Sequence, residues 1–149
     1  MTILSIDPGK RIGYALFTDK GEDIERGVIQ FDDWFNSTRN RLGIDYSGWA
    51  CFDERIVDQV VVEGFRHDPT VAQGGSVHWA SQIEGAVKML GALTGVPVAV
   101  QYSNILSVAM IHDGYEKPKT KTGKDKHLPD EDSAWLHGRY FLRSQGVLQ

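Results

Sequence analysis

Two short apolar strands that each end on an acid limit what this chain can fold into. Ile3-Leu4-Ser5-Ile6 runs into Asp7-Pro8-Gly9, and Val60-Val61-Val62 runs into Glu63-Gly64. The second run is continuously β-branched, as in parallel strands covered on both faces. Glycine or Pro-Gly after each acid marks a turn. An unpartnered buried carboxylate is costly, so acids that close buried strands call for a reason. Taken singly, Asp7 can be a turn residue and Glu63 the point where a strand emerges into solvent. A third acidic group, Asp130-Glu131-Asp132, opens a helical segment, where acids also complement the helix dipole. The three come together only if the first and fourth strands are parallel neighbours.

The remaining pattern is compatible with that topology. Gly13 to Phe17 and Gly27 to Phe31 read as strands reached through short turns, hence antiparallel to their predecessors. Leu42, Tyr46, Trp49, Phe52 and Ile56 recur at helical spacing, interrupted by Gly43 and Gly48. After Glu63, Asp68-Pro69 and Gly74-Gly75 break the chain. Ser76 can cap a helix whose apolar face is Trp79, Ala80, Ile83, Val87, Leu90 and Leu93, with Gly95 at its end. Val96 to Val100 reads as a fifth strand, and residues 102 to 112 as a short helix. Residues 113 to 128 read as an exposed, mobile basic loop, and Pro129 suits the first turn of a last helix running roughly to Leu142. Strand-helix-strand units cross over right-handed and pair in parallel. The expectation is an α/β fold, a mixed five-stranded sheet flanked by helices, in the single domain that 149 residues make.

Charge is unevenly spread. The net charge is −4, yet five of the eight lysines (Lys117, Lys119, Lys121, Lys124, Lys126) fall within ten residues. One cysteine, Cys51, excludes an internal disulfide and a cysteine-based zinc site. No apolar run reaches 18 residues and the first residues carry no basic stretch, so the expected location is the cytoplasm. Three or four carboxylates converging at the carboxyl edge of a sheet, where ligands of open α/β folds bind, suit a hard divalent cation such as Mg²⁺.

Ile3-Leu4-Ser5-Ile6-Asp7-Pro8-Gly9-Lys10-Arg11-Ile12-Gly13-Tyr14 resembles the opening motif of the RuvC family of Holliday-junction resolvases. Val60-Val61-Val62-Glu63 resembles that family's second acidic strand, and Asp132-Ser133-Ala134 its third motif. The likeness spans essentially the whole chain. The compact form with its lysine-rich loop looks most like phage-borne members. The resemblance implies a ribonuclease H-like fold and a homodimer that resolves four-way junctions by paired symmetric nicks. It also implies two Mg²⁺ ions, which Mn²⁺ can replace. Asp7 and Glu63 would be ligands. The family places two more, three residues apart, at the start of the last helix, and here the sequence departs: Pro129 stands three residues before Asp132. The pair is then His127 with Asp130, or Asp132 helped by Asp130. Ser133, Ala134 and Leu136 favour Asp132, since they follow it as in the family helix.

Phe65 lies near where the family presents an aromatic for stacking on a base, and Arg66 beside it is a candidate phosphate contact. The five lysines would meet the backbone of the DNA arms. Trp79, Gly85 and Gly91 mark the helix 76–94 as a candidate dimer interface, with core packing as the alternative role. Other readings are a broader nuclease for flaps, Y-branches or forks, and a non-catalytic junction-binding module. Asp7-Pro8-Gly9 before Gly13 also resembles the first phosphate loop of sugar kinases and actin-like ATPases, which need about twice this length.

Overall fold

Side-chain alternation along the first strand decides how the layers pack. In β1 (Thr2–Asp7), Leu4 and Ile6 enter one hydrophobic cluster while Ile3 enters another on the opposite face. The computed structural model describes residues 1–30, 57–65 and 76–149. The helical face expected from Leu42 to Ile56, and Arg66, lie outside the described residues. β2 (Arg11–Thr18) pairs antiparallel with β1, and β3 (Asp23–Gln30) antiparallel with β2. β4 (Gln59–Gly64) pairs in parallel with β1's other edge, and β5 (Val98–Tyr102) in parallel with β4. The order is β3-β2-β1-β4-β5, the mixed five-stranded sheet expected from sequence.

Two helices cover the two faces. α1 (Ser76–Thr94) lays Ile83, Val87 and Leu90 over Leu4, Ile6, Val60 and Val62. It ends at Gly95, whose φ of 76° suits glycine. β5 begins at Val98, two residues later than the sequence pattern indicates. Pro97 cannot donate to a strand ladder, and its carbonyl instead accepts the Val60 N–H at 2.9 Å. A short 3-10 turn (Ser103–Ile105) leads into α2 (Leu106–Asp113). α3 (Asp130–Ser144) covers the other face, with Ala134 and Leu142 against Ile3, Phe17 and Val61. Pro129 is its N-cap, one place before the first turn that the sequence suggested. Among the described residues no helix is long and apolar enough to cross a membrane.

The lysine-rich segment is a small hairpin, which corrects the expected unstructured loop. Lys119 and Asp125 face each other across an antiparallel bridge and form an ion pair. The Thr120 N–H donates to the Lys124 carbonyl at 2.7 Å, and the Lys126 N–H to the Pro118 carbonyl at 2.8 Å. Gly123, at φ 79°, makes the tight reversal possible.

α2 is fastened to α3 by a buried ion cluster. The Asp113 side chain is 1% exposed and accepts hydrogen bonds from Arg139 Nε at 2.8 Å and Arg143 Nη2 at 2.7 Å. Burial alone would raise its carboxyl, but the two guanidiniums outweigh that and hold it below the usual carboxylate range.

α3 sits directly on the sheet because two glycines let it. A Cβ on Gly138 would overlap the Phe17 ring, and a Cβ on Gly13 would overlap the Asp130 carbonyl. Gly13 therefore seats the acidic first turn of α3 over β2. Gly13→Ala is expected to destabilise the protein by about 1–3 kcal/mol, the usual range for overpacking. Urea denaturation measures it, and an unchanged midpoint would show that α3 is not seated there.

Candidate active site

Strand register brings the first two acids together. Ile6 pairs with Val62 in the parallel β1–β4 ladder, so Asp7 and Glu63 follow as neighbours at the carboxyl edge. Both lie on the face that α3 covers, where buried Ser133 acts to lower the pKa of both carboxyl groups. A cavity of about 450 Å³ opens there, lined by Asp7, Glu63, Lys117, His127, Asp130 and Ser133 among others.

The two carboxyls are electrostatically unequal. Burial pushes Asp7 up to about 8, and the charge and hydrogen bond of Glu63 add to the rise. Burial would raise Glu63 too, but His137 and the hydrogen bonds from Asp7 and Ser133 outweigh it, holding Glu63 below the usual range. Asp7 and Glu63 thus behave as a coupled pair that keeps one proton, carried mainly on Asp7.

Of the alternatives left open by the sequence, the structure gathers Asp130 and His127 into this cavity with Asp7 and Glu63. Asp130 Oδ2 also lies 3.5 Å from Arg11 Nε, and His127 Nδ1 is 2.8 Å from the Leu128 carbonyl. Asp132, favoured on sequence, is not among the cavity-lining residues. It accepts the Tyr115 hydroxyl at 2.6 Å and pairs with Arg26 Nη1 at 3.1 Å. The physical reason is helical geometry: residues two apart on an α-helix project about 200° from each other. Asp132 instead ties the root of the lysine hairpin to β3. Burial and the Asp132 carboxylate push the Tyr115 phenol well above its ordinary value. The Trp135 ring beside them lies 5.6 Å from the Arg26 guanidinium and 5.3 Å from that of Arg139.

Two residues at the site escaped the sequence reading. His137 on α3 is fully buried, its Nε2 3.4 Å from Glu63 Oε2 and its Nδ1 3.1 Å from Gln101 Oε1. Gln101 is the register partner of Glu63 on β5. The available signals were a histidine four residues after Ser133 on the buried face of α3, and a glutamine ending an apolar strand.

The candidate DNA contacts differ in their relation to this cavity. Lys117 lines it; Lys121, Lys124 and Lys126 are exposed, as is Lys119, which is paired with Asp125. Phe65 is 37% exposed and borders a smaller hollow of about 210 Å³ with Glu63, Tyr102 and Asn104. Its backbone N–H donates to Glu84 Oε2 at 3.0 Å, which anchors it to α1.

The donor set suits a hard divalent cation by its chemistry: adjacent carboxylates whose mutual repulsion a cation would relieve, with further oxygen and nitrogen donors on the same cavity. Among the described residues no three acidic, histidine or cysteine side chains meet closely enough to form a ready-made cage. The Asp7–Glu63 pair shares the cavity lining with Asp130 and His127.

Comparison with solved structures places the architecture. RuvC of T. thermophilus in complex with a Holliday junction substrate matches over 100% of this chain and 98% of its own, with a TM-score of 0.59 at 16% identity. A second Thermus thermophilus RuvC structure matches with a TM-score of 0.56 at 16% identity, covering 100% and 99%. The fold is RuvC-like. No protein-family model matches the chain, and comparison with curated proteins finds no match. The ribonuclease H-like α/β class expected from the sequence is the one found. On this RuvC-like fold the carboxylate pair sits at the edge where open α/β sheets bind ligands.

The raised Asp7 carboxyl has a measurable effect on stability. The folded chain keeps that proton up to about pH 8, whereas the unfolded chain releases it near pH 4. Between those values the folded state binds more protons, so this contribution is full below about pH 4 and lost as pH rises through 8. Without divalent cation, Asp7→Asn is expected to exceed wild type in stability at pH 8 by about 1 kcal/mol or more, since each pKa unit is worth about 1.4 kcal/mol. The gap should close near pH 4. Urea midpoints across that range check it, and a gap independent of pH would place the pair apart.

Proposed function

We propose that this chain is a metal-dependent, structure-selective DNA endonuclease that resolves four-way junctions by paired symmetric nicks, working as a homodimer. The observation that carries the reading is the coupled Asp7–Glu63 pair opening into a 450 Å³ cavity on a RuvC-like fold. The neighbour solved with a Holliday junction substrate supports the substrate class.

Asp7, Glu63 and Asp130 would hold two Mg²⁺ ions, or Mn²⁺, with His127 the further donor. Bound metal would supply an activated water and stabilise the leaving 3′-oxygen. The protein's own part is positional. The sheet edge fixes two carboxylates, α3 delivers Asp130, and Lys117 brings a positive charge to the cavity for the scissile phosphate. The lysine hairpin would track the backbone of an arm, and exposed Phe65 would stack on a base opened at the branch point.

For the dimer, α1 offers an outward apolar face. Met89 and Leu93 are 56% and 59% exposed, and Gly85 leaves open space beside them. Gly91, grouped with that face on sequence, belongs to the core instead: a Cβ there would overlap Val98.

A cleavage assay with Mg²⁺ tests the reading. Labelled four-way junction, Y-branch, flap and linear duplex are offered side by side. Paired symmetric nicks confined to the junction are expected, with cutting reduced at least 100-fold by Asp7→Asn while junction binding persists. Cutting of every branched form would make this a general debranching nuclease, and tight binding without cutting a junction-binding module. Replacing Lys119, Lys121 and Lys124 together by Ala should weaken junction binding and flatten the log Kd against log salt slope by about 2. An unchanged slope would remove the hairpin from the DNA interface.

A further inference from the structure

We propose that His137, braced by Gln101, is a positioning residue for Glu63: its Nε2–H fixes the Glu63 carboxylate in the orientation that a divalent cation needs. The proposal rests on the metal-dependent reading above and adds to it a group that acts through Glu63 without touching substrate.

The argument starts from the expense of the arrangement. His137 is 0% exposed on a helix whose other buried members, Ser133, Ala134, Leu136, Gly138 and Leu142, are small or apolar. A leucine would fill that space without burying polar atoms. A buried imidazole is tolerated when its nitrogens have partners, and here both face functional groups on adjacent strands. Glu63 and Gln101 are register partners in the β4–β5 ladder, so their side chains rise side by side toward α3. His137 spans them, with Nδ1 at 3.1 Å from Gln101 Oε1 and Nε2 at 3.4 Å from Glu63 Oε2.

Proton placement follows from the partners. Nε2 faces a carboxylate, which only accepts, so Nε2 carries hydrogen. Nδ1 then either donates to Gln101 Oε1 or, with the amide turned over, accepts from its NH₂; the Nε2–H points at Glu63 in both cases. The 3.4 Å separation is slightly long, and Nε2 is one of the few buried polar atoms without a completed hydrogen bond among the described residues. The contact therefore has room to tighten. Gly138, the next residue, seats this part of α3 against Phe17 and keeps the imidazole at that height above the sheet. Hydrogen-bond partners behind metal ligands commonly govern metal affinity by 10- to 100-fold.

The test is Mn²⁺ affinity by calorimetric titration of the full chain, with urea midpoints in parallel. His137→Leu is expected to weaken Mn²⁺ binding about 10-fold or more without a matching loss of stability. His137→Gln, whose amide can still donate to Glu63, should stay within about 3-fold of wild type. Gln101→Leu should fall between, about 3- to 10-fold weaker, and it reports on the brace even where His137→Leu does not fold. Wild-type affinity in either leucine variant would overturn the positioning role, as would a His137→Gln protein as weak as His137→Leu. A wild-type chain that binds no Mn²⁺ would overturn the metal reading itself, and the positioning role with it.

Discussion

Parallel pairing of β1 with β4 carries Asp7 and Glu63 to one edge of the sheet, and their mutual repulsion must be met by surrounding groups. Two carboxylates in a shared, partly dehydrated place cannot both ionise cheaply. Ser133 and His137 come from α3 and both interact with Glu63, while Asp7 keeps its proton. The edge that stores this unfavourable charge is therefore also the edge where the proposed cation would relieve it. Under the proposed metal-dependent reading, stability without metal and readiness to bind it would work against each other.

The site consequently depends on where α3 lies. Gly13 and Gly138 remove the side chains that would lift it off the sheet. Ala134 and Leu142 hold it there by burial, and the Asp113 cluster with Arg139 and Arg143 locks α2 against it. At its first turn, Asp132 pairs with Arg26 and Tyr115, which fixes the rotation of the helix. That rotation leaves Asp130 to the cavity. Two acids a single residue apart thus have different surroundings: one holds the helix, the other faces the cavity.

Charge segregation reconciles a net charge of −4 with the proposed DNA substrate. The acids of the site are concentrated where cations would neutralise them. The lysines are concentrated on a hairpin whose base contributes Lys117 to the same cavity. A backbone arriving at the carboxylate edge would meet the basic hairpin beside it, and screening over about 10 Å makes that local pattern matter more than the total.

The strand order that seats Asp7 beside Glu63 came from the tertiary structure. Strand identity and strand direction were legible because they rest on local signals: apolar runs, turn residues after each acid, and the direction rules for short and crossover connections. The helix 76–94 was legible for the same reason. The ends of the fifth strand and the lysine hairpin were not, since Pro97 and a five-residue reversal around Gly123 act through particular hydrogen bonds that periodicity does not encode. At the site the division is sharper. The sequence by itself determined that acids end two apolar strands and begin one helix. Only the tertiary structure decided that Asp130 and His127, not Asp132, line the cavity, and that His137 and Gln101 stand behind Glu63. Helix rotation and cross-strand register set those choices, and both are fixed by packing against distant parts of the chain.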